Sequence, residues 1–222
     1  MKYELLIRSR ARREESIGQK HSQFIAGLQQ IEPPWGLKGR EAPAAPDPGD
    51  DLIADVELGR FFGNGIHGEL VYQYRREFRD EGAADDYFAL KFNPEKLDYK
   101  ELVLVAYPAY LSSFSAYRGQ IGNAEFGLKD WDAGDRDVDY RHGVFRIYPV
   151  SFFDRQLCVR AFGLQPEAIV PRLEGKVEEV ELYNDGVLIV SSSRPLPLGA
   201  ADQVSRDVWA ALGARSPTPS MA

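Results

Sequence analysis

The sequence is poor in the residues that usually build disulfides and metal sites. Cys158 is the single cysteine among 222 residues, so an intrachain disulfide is excluded, and its apolar neighbours predict a buried, reduced thiol. The three histidines, His21, His67 and His142, have no second histidine or cysteine at metal-ligand spacing. A zinc site could therefore form only from residues that are distant in the sequence, and we expect no cofactor.

Long apolar runs and an excess of basic charge are absent as well. No stretch reaches the roughly 18 apolar residues of a membrane-spanning helix, and charge interrupts the start of the chain before a signal peptide could form. Lys and Arg number 27 against 34 Asp and Glu, which gives a formal net charge of −7. This balance opposes nonspecific binding to DNA, RNA or anionic membranes and favours a basic protein partner. We expect a cytoplasmic protein without direct nucleic-acid or membrane binding.

A recognisable catalytic motif is also missing. The serines lack the G-x-S-x-G pattern of a nucleophile elbow. Residues 63–68 have the glycine spacing of a dinucleotide-binding loop, but no clear strand precedes them and the following residues favour a strand over a helix. We interpret this stretch as a turn or bulge. The sequence favours a protein that is not an enzyme; a hydrolase using a carboxylate pair or an aspartate-bound metal, and a non-catalytic adaptor subunit, are the alternatives.

The chain does contain enough apolar material for a large core, with 44% hydrophobic and 12% aromatic residues. Helical patterns mixed with hairpin-linked strands predict an α+β fold with a largely antiparallel sheet and packed helices. One domain or two closely packed halves fit the length, and we assign a single domain to residues 1–213. Within it, residues 32–51 form a proline-rich surface loop, and residues 214–222 form a disordered tail.

Local signals place several helices and strands. Ser16 predicts the N-cap of a helix that runs to about Ile31, with Lys20 and His21 on its polar face. Pro108 predicts a kink in a helix over residues 99–118, because proline lacks a backbone donor and clashes with the preceding turn.

The second half of the chain carries equally local signals. The turn at residues 184–186, Asn-Asp-Gly, predicts a hairpin between residues 178–183 and 187–191. A strand is expected at residues 144–148, ended by Pro149, with Ser151 capping the next helix. A last helix is expected over residues 198–212.

The most concentrated charge lies in a short acidic segment at residues 129–139. It holds five carboxylates and one aromatic side chain: Asp130, Trp131, Asp132, Asp135, Asp137 and Asp139. Carboxylates this close repel one another unless a cation, a basic surface or open water screens them. The start of the segment resembles an EF-hand loop, but the sixth position lacks the required glycine and the twelfth is Arg141 instead of Glu. A solvated surface, a protein-binding surface and a cation site are the three interpretations that remain open.

Three stretches of the chain resemble a family of bacterial polymorphic-toxin immunity proteins, the Immunity protein 52 family. They are Tyr87-Phe-Ala-Leu-Lys-Phe92, Pro108-Ala-Tyr-Leu-Ser-Ser-Phe-Ser-Ala-Tyr-Arg118 and Gly143-Val-Phe-Arg-Ile-Tyr-Pro-Val-Ser-Phe-Phe-Asp154. The resemblance extends over residues 3–212 and rests on overall pattern, without a short invariant motif. Members of the family are encoded beside toxins with a restriction-endonuclease-like nuclease domain, including effectors of type VI secretion, and each protects its producer by binding its toxin.

The resemblance implies a cognate toxin as partner, no catalytic residues, and no contact motif that can be carried over. The charge argument points the same way, because nuclease active sites attract phosphate through basic surfaces that an acidic protein can also occupy. We therefore predict that the acidic segment binds the toxin, with Trp131 either as an apolar anchor or as a core residue that pins the segment.

Overall fold

The computed structural model describes residues 1–46, 52–75, 85–126 and 141–213. The chain divides into two compact units, which we call the N-terminal unit, Glu4–Ala116, and the C-terminal unit, Met1–Tyr3 with Tyr117–Ala222. Each unit combines antiparallel strands with helices, so the predicted α+β class is confirmed. The assignment of one domain to residues 1–213 stays a prediction, and the tail at 214–222 lies outside the described residues. Across those ranges, no helix has the length and apolar character needed to cross a membrane.

In the described part of the N-terminal unit, four strands lie in the order β2-β3-β4-β1. They are β1 (Tyr3–Arg10), β2 (Ala54–Glu57), β3 (His67–Tyr72) and β4 (Asp85–Phe92). β3 pairs antiparallel with both β2 and β4. Along β1, buried residues alternate strictly with partly exposed ones, as expected when one face of a sheet meets the core and the other meets water.

Helix α1 (Ile17–Leu28) begins with the cap that the sequence predicted. The Ser16 side chain accepts a hydrogen bond from the Gln19 backbone N–H at 3.1 Å, and the Gln19 side chain accepts one from the Ser16 N–H at 3.2 Å. These two bonds form a capping box, which satisfies backbone donors that have no partner inside the helix. The expected polar face is wrong, however, because Lys20 and His21 are only 1% and 2% exposed.

A second helical stretch changes geometry in its middle. It comprises α2 (Tyr99–Glu101), a π-helical turn (Leu102–Ala106) and α3 (Tyr107–Ser113). In the π-helical turn, the Tyr107 N–H donates to the Leu102 carbonyl, five residues earlier. Pro108 follows directly, so the wider turn lies where proline would disturb regular α-helical bonding. The helix ends at Ser113, short of the predicted residue 118.

Aromatic rings fill the core of the N-terminal unit. Phe24 of α1 lies 4.9 Å from Phe88 of β4 and 4.8 Å from Phe114, centroid to centroid, and Phe88 lies 5.3 Å from Tyr110. The proline-rich loop contributes to this core, because Trp35 is fully buried and its indole N–H donates to the Asp98 carbonyl at 2.9 Å. The predicted surface loop is therefore anchored from inside over its described part, residues 32–46.

In its described residues, the C-terminal unit has strands in the order β5-β6-β8-β7, accompanied by helices. The strands are β5 (Arg118–Asn123), β6 (Val150–Asp154), β7 (Glu179–Tyr183) and β8 (Gly186–Val190). The helices are α4 (Arg155–Phe162), α5 (Pro166–Leu173) and α6 (Leu198–Leu212). Phe162 lies 5.4 Å from Phe153 of β6 and 5.1 Å from Trp209 of α6, and these rings belong to the main core of the unit.

The predicted hairpin is confirmed, since β7 and β8 pair antiparallel around the turn. Asn184 and Asp185 have φ of 44° and 55°, the left-handed conformation that a two-residue hairpin of type I′ requires at both central positions. The last helix is confirmed as well, with Val208 and Leu212 buried.

The strand expected at residues 144–148 is wrong, because β6 begins at Val150, after Pro149. Ser151 lies inside this strand, where its hydroxyl donates to the Tyr148 carbonyl at 3.1 Å and accepts from the Tyr148 N–H at 3.0 Å. With its hydroxyl used in this way, Ser151 does not cap a helix. Asp154 caps α4 instead, by accepting from the Leu157 N–H at 2.8 Å.

Residues at the start of the chain belong to the C-terminal unit. The Tyr3 hydroxyl donates to the Leu196 carbonyl at 2.8 Å and accepts from the Leu196 N–H at 2.6 Å. The Lys2 carbonyl accepts from the Ala124 N–H at 3.0 Å. The phenol thus bonds to both backbone groups of a residue 193 positions away.

Candidate functional site

The predicted toxin-binding segment cannot be placed from the structure. All six of its residues lie outside the described residues: Asp130, Trp131, Asp132, Asp135, Asp137 and Asp139. Its role stays a prediction, and a candidate site has to be sought among the side chains that the structure does describe.

Three features considered in the sequence analysis, a metal site, a reactive cysteine and a glycine-rich loop, can be sought among the described residues. These residues contain no group of three or more His, Cys, Asp or Glu side chains that could hold a metal ion. Cys158 is buried as predicted, and burial raises the pKa of its thiol to about 12, which leaves almost no nucleophilic thiolate near neutral pH. The glycine-rich stretch at residues 63–68 is a turn, with Gly65 at φ +83°, and it leads into β3 instead of a helix. The predicted turn is confirmed.

His21 is held in one hydrogen-bonding state by two neighbours. Its Nε2 lies 3.1 Å from the Pro43 carbonyl, and its Nδ1 lies 3.2 Å from the Tyr72 hydroxyl. A carbonyl can only accept, so Nε2 carries the proton and Nδ1 accepts from the phenol in the neutral ring. Burial lowers the pKa of His21, the Pro43 hydrogen bond opposing this. The ring therefore links α1, β3 and the proline-rich loop as a neutral group.

Lys20 is buried one residue earlier. Its ammonium donates to the Phe114 carbonyl at 2.7 Å and to the Ser9 hydroxyl at 2.9 Å, and lies 3.7 Å from a Glu15 carboxylate oxygen. The same ammonium lies 5.0 Å from the centroid of the Phe114 ring. Burial lowers the pKa of Lys20, and the Glu15 carboxylate opposes this shift. Each donor direction of the ammonium has a partner, which explains how the protein accommodates this charge in its interior.

A buried ion pair completes this polar group in the N-terminal unit. The Arg75 guanidinium donates to both carboxylate oxygens of Asp86, at 2.9 and 2.8 Å, and to the Glu15 and Gln73 carbonyls at 2.9 and 2.7 Å. Asp86 also accepts from the Gln73 N–H at 2.9 Å. Arg75 and Asp86 thus form a buried ion pair whose hydrogen bonds go to protein groups. These bonds give no indication of a substrate site.

A group of ionisable side chains of the same unit lies on the opposite, outer side of its sheet. The register of β2, β3 and β4 puts carboxylates, a lysine, a histidine and a tyrosine on this side, together with Glu4 and Arg8 of β1. We call this surface the acidic face; it comprises Glu4, Arg8, Asp55, Glu57, His67, Glu69, Val71, Asp85, Tyr87, Ala89 and Lys91.

Two features distinguish the acidic face from an ordinary solvated sheet. Glu57 and Glu69 are directly opposite each other in the β2–β3 pairing, a like-charge pair that destabilises a sheet. The face is also concave, with a cavity of about 470 Å³ bordered by Asp55, Glu57, Glu69 and Lys91.

Carboxylates outnumber basic groups around Tyr87 of the acidic face. Burial raises the pKa of Tyr87, and the carboxylates of Glu69, Asp55 and Glu4 raise it further, against one lowering contribution from Arg8. Burial likewise raises the pKa of Glu4, where Lys91 and Arg8 lower it and Glu69 raises it. The surroundings of the Tyr87 phenol therefore disfavour a further negative charge.

Sequence reasoning missed this surface. The segment that contains β2 has an ambiguous apolar pattern, and the strand is only four residues long. Alternation of polar and apolar residues over positions 54–57 was the available signal for Asp55 and Glu57. Glu57 and Glu69 face each other because of the register between β2 and β3, which cannot be read from the sequence.

Comparison with known proteins finds a similar fold but no family. No family model matches the chain, and no curated protein matches it either. Among solved structures, the fold is similar to that of the Pseudomonas aeruginosa T6SS protein PA0821, with a TM-score of 0.60 and 12% sequence identity. The match covers 97% of this chain and 73% of that protein. This chain shares its fold with a T6SS protein.

Proposed function

We propose that this protein is an immunity protein, which binds and neutralises a cognate nuclease-domain toxin by charge-complementary occlusion. In this proposal it performs no chemistry of its own and needs no cofactor. The toxin, with a restriction-endonuclease-like domain, is the partner that the resemblance to the Immunity protein 52 family implies.

The observation that carries the proposal is the fold shared with PA0821 over 97% of the chain. That similarity supports a role connected with type VI secretion. The immunity role is our extension of it, and it draws on the resemblance of residues 87–92, 108–118 and 143–154 to immunity proteins.

The distribution of charge also supports binding over catalysis. In the described part of the chain, the buried ionisable side chains that we traced, Lys20, His21, Arg75 and Asp86, are engaged with protein partners. Asp55, Glu57 and Glu69, which have no ion-pair partner among the described residues, lie together on the acidic face. An acidic surface of this kind suits the basic cleft with which a nuclease holds its phosphate backbone.

The proposal is tested by a protection experiment with the toxin encoded beside the gene for this chain. Cells that express the toxin's nuclease domain are expected to survive when the protein is co-expressed, and the two proteins are expected to copurify as a complex. Survival without a complex would contradict neutralisation by binding. Turnover of a substrate by the purified protein alone would support the hydrolase alternative instead.

The predicted toxin-binding segment has its own test. Replacing its five aspartates with asparagine is expected to slow association with the toxin and to make the association rate less dependent on salt. The reason is that exposed charges act mainly on the rate at which the two proteins meet. Replacing Trp131 with alanine is expected to speed dissociation if the ring is an interface anchor. Unchanged association at low and physiological salt would show that the segment is a solvated bystander.

A further inference from the structure

Three carboxylates of the acidic face, Asp55, Glu57 and Glu69, take part in none of the ion pairs found among the described residues. Two basic side chains on the same side of the sheet face other carboxylates, since the Lys91 ammonium lies 3.8 Å from Glu4 and the Arg8 guanidinium lies 3.8 Å from Asp85. Over the described ranges, Asp55, Glu57 and Glu69 therefore form the unpaired part of the face.

We propose that the acidic face docks a lysine- and arginine-rich protein surface of the toxin. This inference rests on the proposed function and adds to it a surface separate in sequence from residues 129–139. The partner would supply the positive charge that Asp55, Glu57 and Glu69 lack, and it would relieve the repulsion between the two glutamates that face each other in the β2–β3 pairing.

The shape of the face favours a protein surface over a single metal ion. The carboxylates are spread over two strands, and within the described part of the chain they do not converge into a group that could hold a metal. The cavity of about 470 Å³ beside them is bordered by the small side chain of Ala89. A space of this size admits long basic side chains from a partner, which reach individual carboxylates while keeping their charge near the rim.

The negative charge of the unpaired carboxylates further restricts the class of partner. A second copy of this chain bound by a two-fold axis would place the acidic face against itself and bring like charges together. DNA, RNA and anionic lipid are repelled for the same reason. A basic protein is the partner class with complementary charge, and electrostatic steering predicts that the face acts mainly on the association rate.

A charge-matched pair of variants tests the docking surface. In Glu57→Gln/Glu69→Gln the acidic face loses two charges, and in Glu179→Gln/Glu181→Gln the edge strand β7 of the C-terminal unit loses the same number of exposed carboxylates. The probe is the purified nuclease domain of the toxin encoded beside this gene, and association rates are measured at low and physiological salt. We expect the first variant to associate about tenfold more slowly at low salt, and the second to stay within about twofold of wild type.

A third variant changes the rate in the opposite direction, which loss of folding could not imitate. Lys91→Gln removes a positive charge from the acidic face, so association is expected to become about twofold faster at low salt. Equal association rates for the face variant and the β7 control, or slower association of Lys91→Gln, would overturn the docking surface while wild-type binding left the immunity function intact. A wild-type protein that does not bind the nuclease domain would overturn the proposed function itself, and the docking surface with it.

Discussion

In the N-terminal unit the sheet keeps polar side chains on its outer face, whereas in the C-terminal unit the central strands β6 and β8 are buried on both faces. Phe152 and Phe153, neighbours that point to opposite sides of β6, are 0% and 1% exposed. Every residue of β8 is buried too. On β3 and β4, by contrast, His67 and Lys91 are exposed and opposite each other. The central strands of the C-terminal unit are therefore covered on both faces, whereas the sheet of the N-terminal unit has an exposed outer face.

The two units also differ in how they use charge. The N-terminal unit buries a bidentate Arg75–Asp86 pair, while the hairpin of the C-terminal unit carries an exposed cluster in which Arg155 bonds Asp185 at 2.7 Å and Glu167 at 2.5 Å. Buried pairs are costly to break, and exposed pairs contribute little to stability because water and salt screen them. We therefore expect breaking the Arg75–Asp86 pair to destabilise the protein more than breaking the exposed Arg155 cluster.

The largest expected effect comes from Asp86→Ala. The change leaves the buried Arg75 guanidinium without its carboxylate, so the free energy of unfolding is expected to fall by about 3–5 kcal/mol. Urea unfolding followed by circular dichroism measures it. Glu167→Ala, which removes a carboxylate from the exposed Arg155 cluster, is the control and should change stability little. Equal losses for the two variants would remove the contrast between the units.

A smaller loss is expected from Gly27→Ala in α1. A Cβ at this position would lie 2.3 Å from the Ser113 Cβ of α3, so one helix must shift, at a cost of about 1–3 kcal/mol. Gly199 of α6, in the C-terminal unit, has no atom within 4 Å of an added Cβ. Gly199→Ala is therefore expected to stabilise the protein, by up to about 1 kcal/mol. Thermal unfolding of both variants compares them, and destabilisation by Gly199→Ala would contradict the open environment seen there.

The pH dependence of stability is expected to involve His21. Its pKa is lower in the folded protein than the usual value of 6.5, so below that pH the unfolded chain binds more protons and stability falls as pH falls. We expect this loss to be smaller than that of Asp86→Ala, because both ring nitrogens can still donate to their neighbours after protonation.

Comparing unfolding at pH 7.5 and pH 5.5 measures the effect. His21→Gln should depend less on pH than wild type, and His67→Gln, which changes an exposed ring on the acidic face, serves as control. A pH dependence of His21→Gln equal to that of wild type would mean that other groups cause it.

The smallest effect is a gain in stability from Glu69→Gln. This change removes the repulsion between Glu57 and Glu69, so the free energy of unfolding is expected to rise by about 0.2–1 kcal/mol at low salt. Glu181 of β7 is opposite Leu188 instead of a charged residue, so Glu181→Gln should be neutral. Identical responses in urea unfolding would show that the like-charge pair on the acidic face does not cost stability.

The features that local chemistry determines could be predicted from the sequence. The turn of Asn184 and Asp185 needs two residues in the left-handed region, and the Ser16 cap needs only Gln19 three positions later. The hairpin turn and the helix cap can both be read directly from the sequence. The last helix followed from helical periodicity, with Val208 and Leu212 on its buried side.

The features that depend on distant partners could not be predicted. Lys20 was placed on a polar face because the sequence does not show the Phe114 carbonyl, 94 positions away, that accepts a hydrogen bond from its ammonium. Of the two regions considered for binding, the acidic segment at 129–139 could be recognised because its five aspartates lie within ten residues of the sequence. The acidic face could not, since Glu57 and Glu69 become neighbours only through the register of β2 and β3.

The hydrogen bonds between Tyr3 and Leu196 have a consequence for biosynthesis. Tyr3 is translated before its partner, which follows 193 residues later, about 10–40 s at ordinary elongation rates. The C-terminal unit is thus discontinuous in the chain, and the Tyr3 hydroxyl cannot form these bonds until Leu196, which follows β8, has been made. Glu4–Ala116 can be complete well before that moment, so the nascent chain is expected to carry a folded N-terminal unit while the C-terminal unit is still being made.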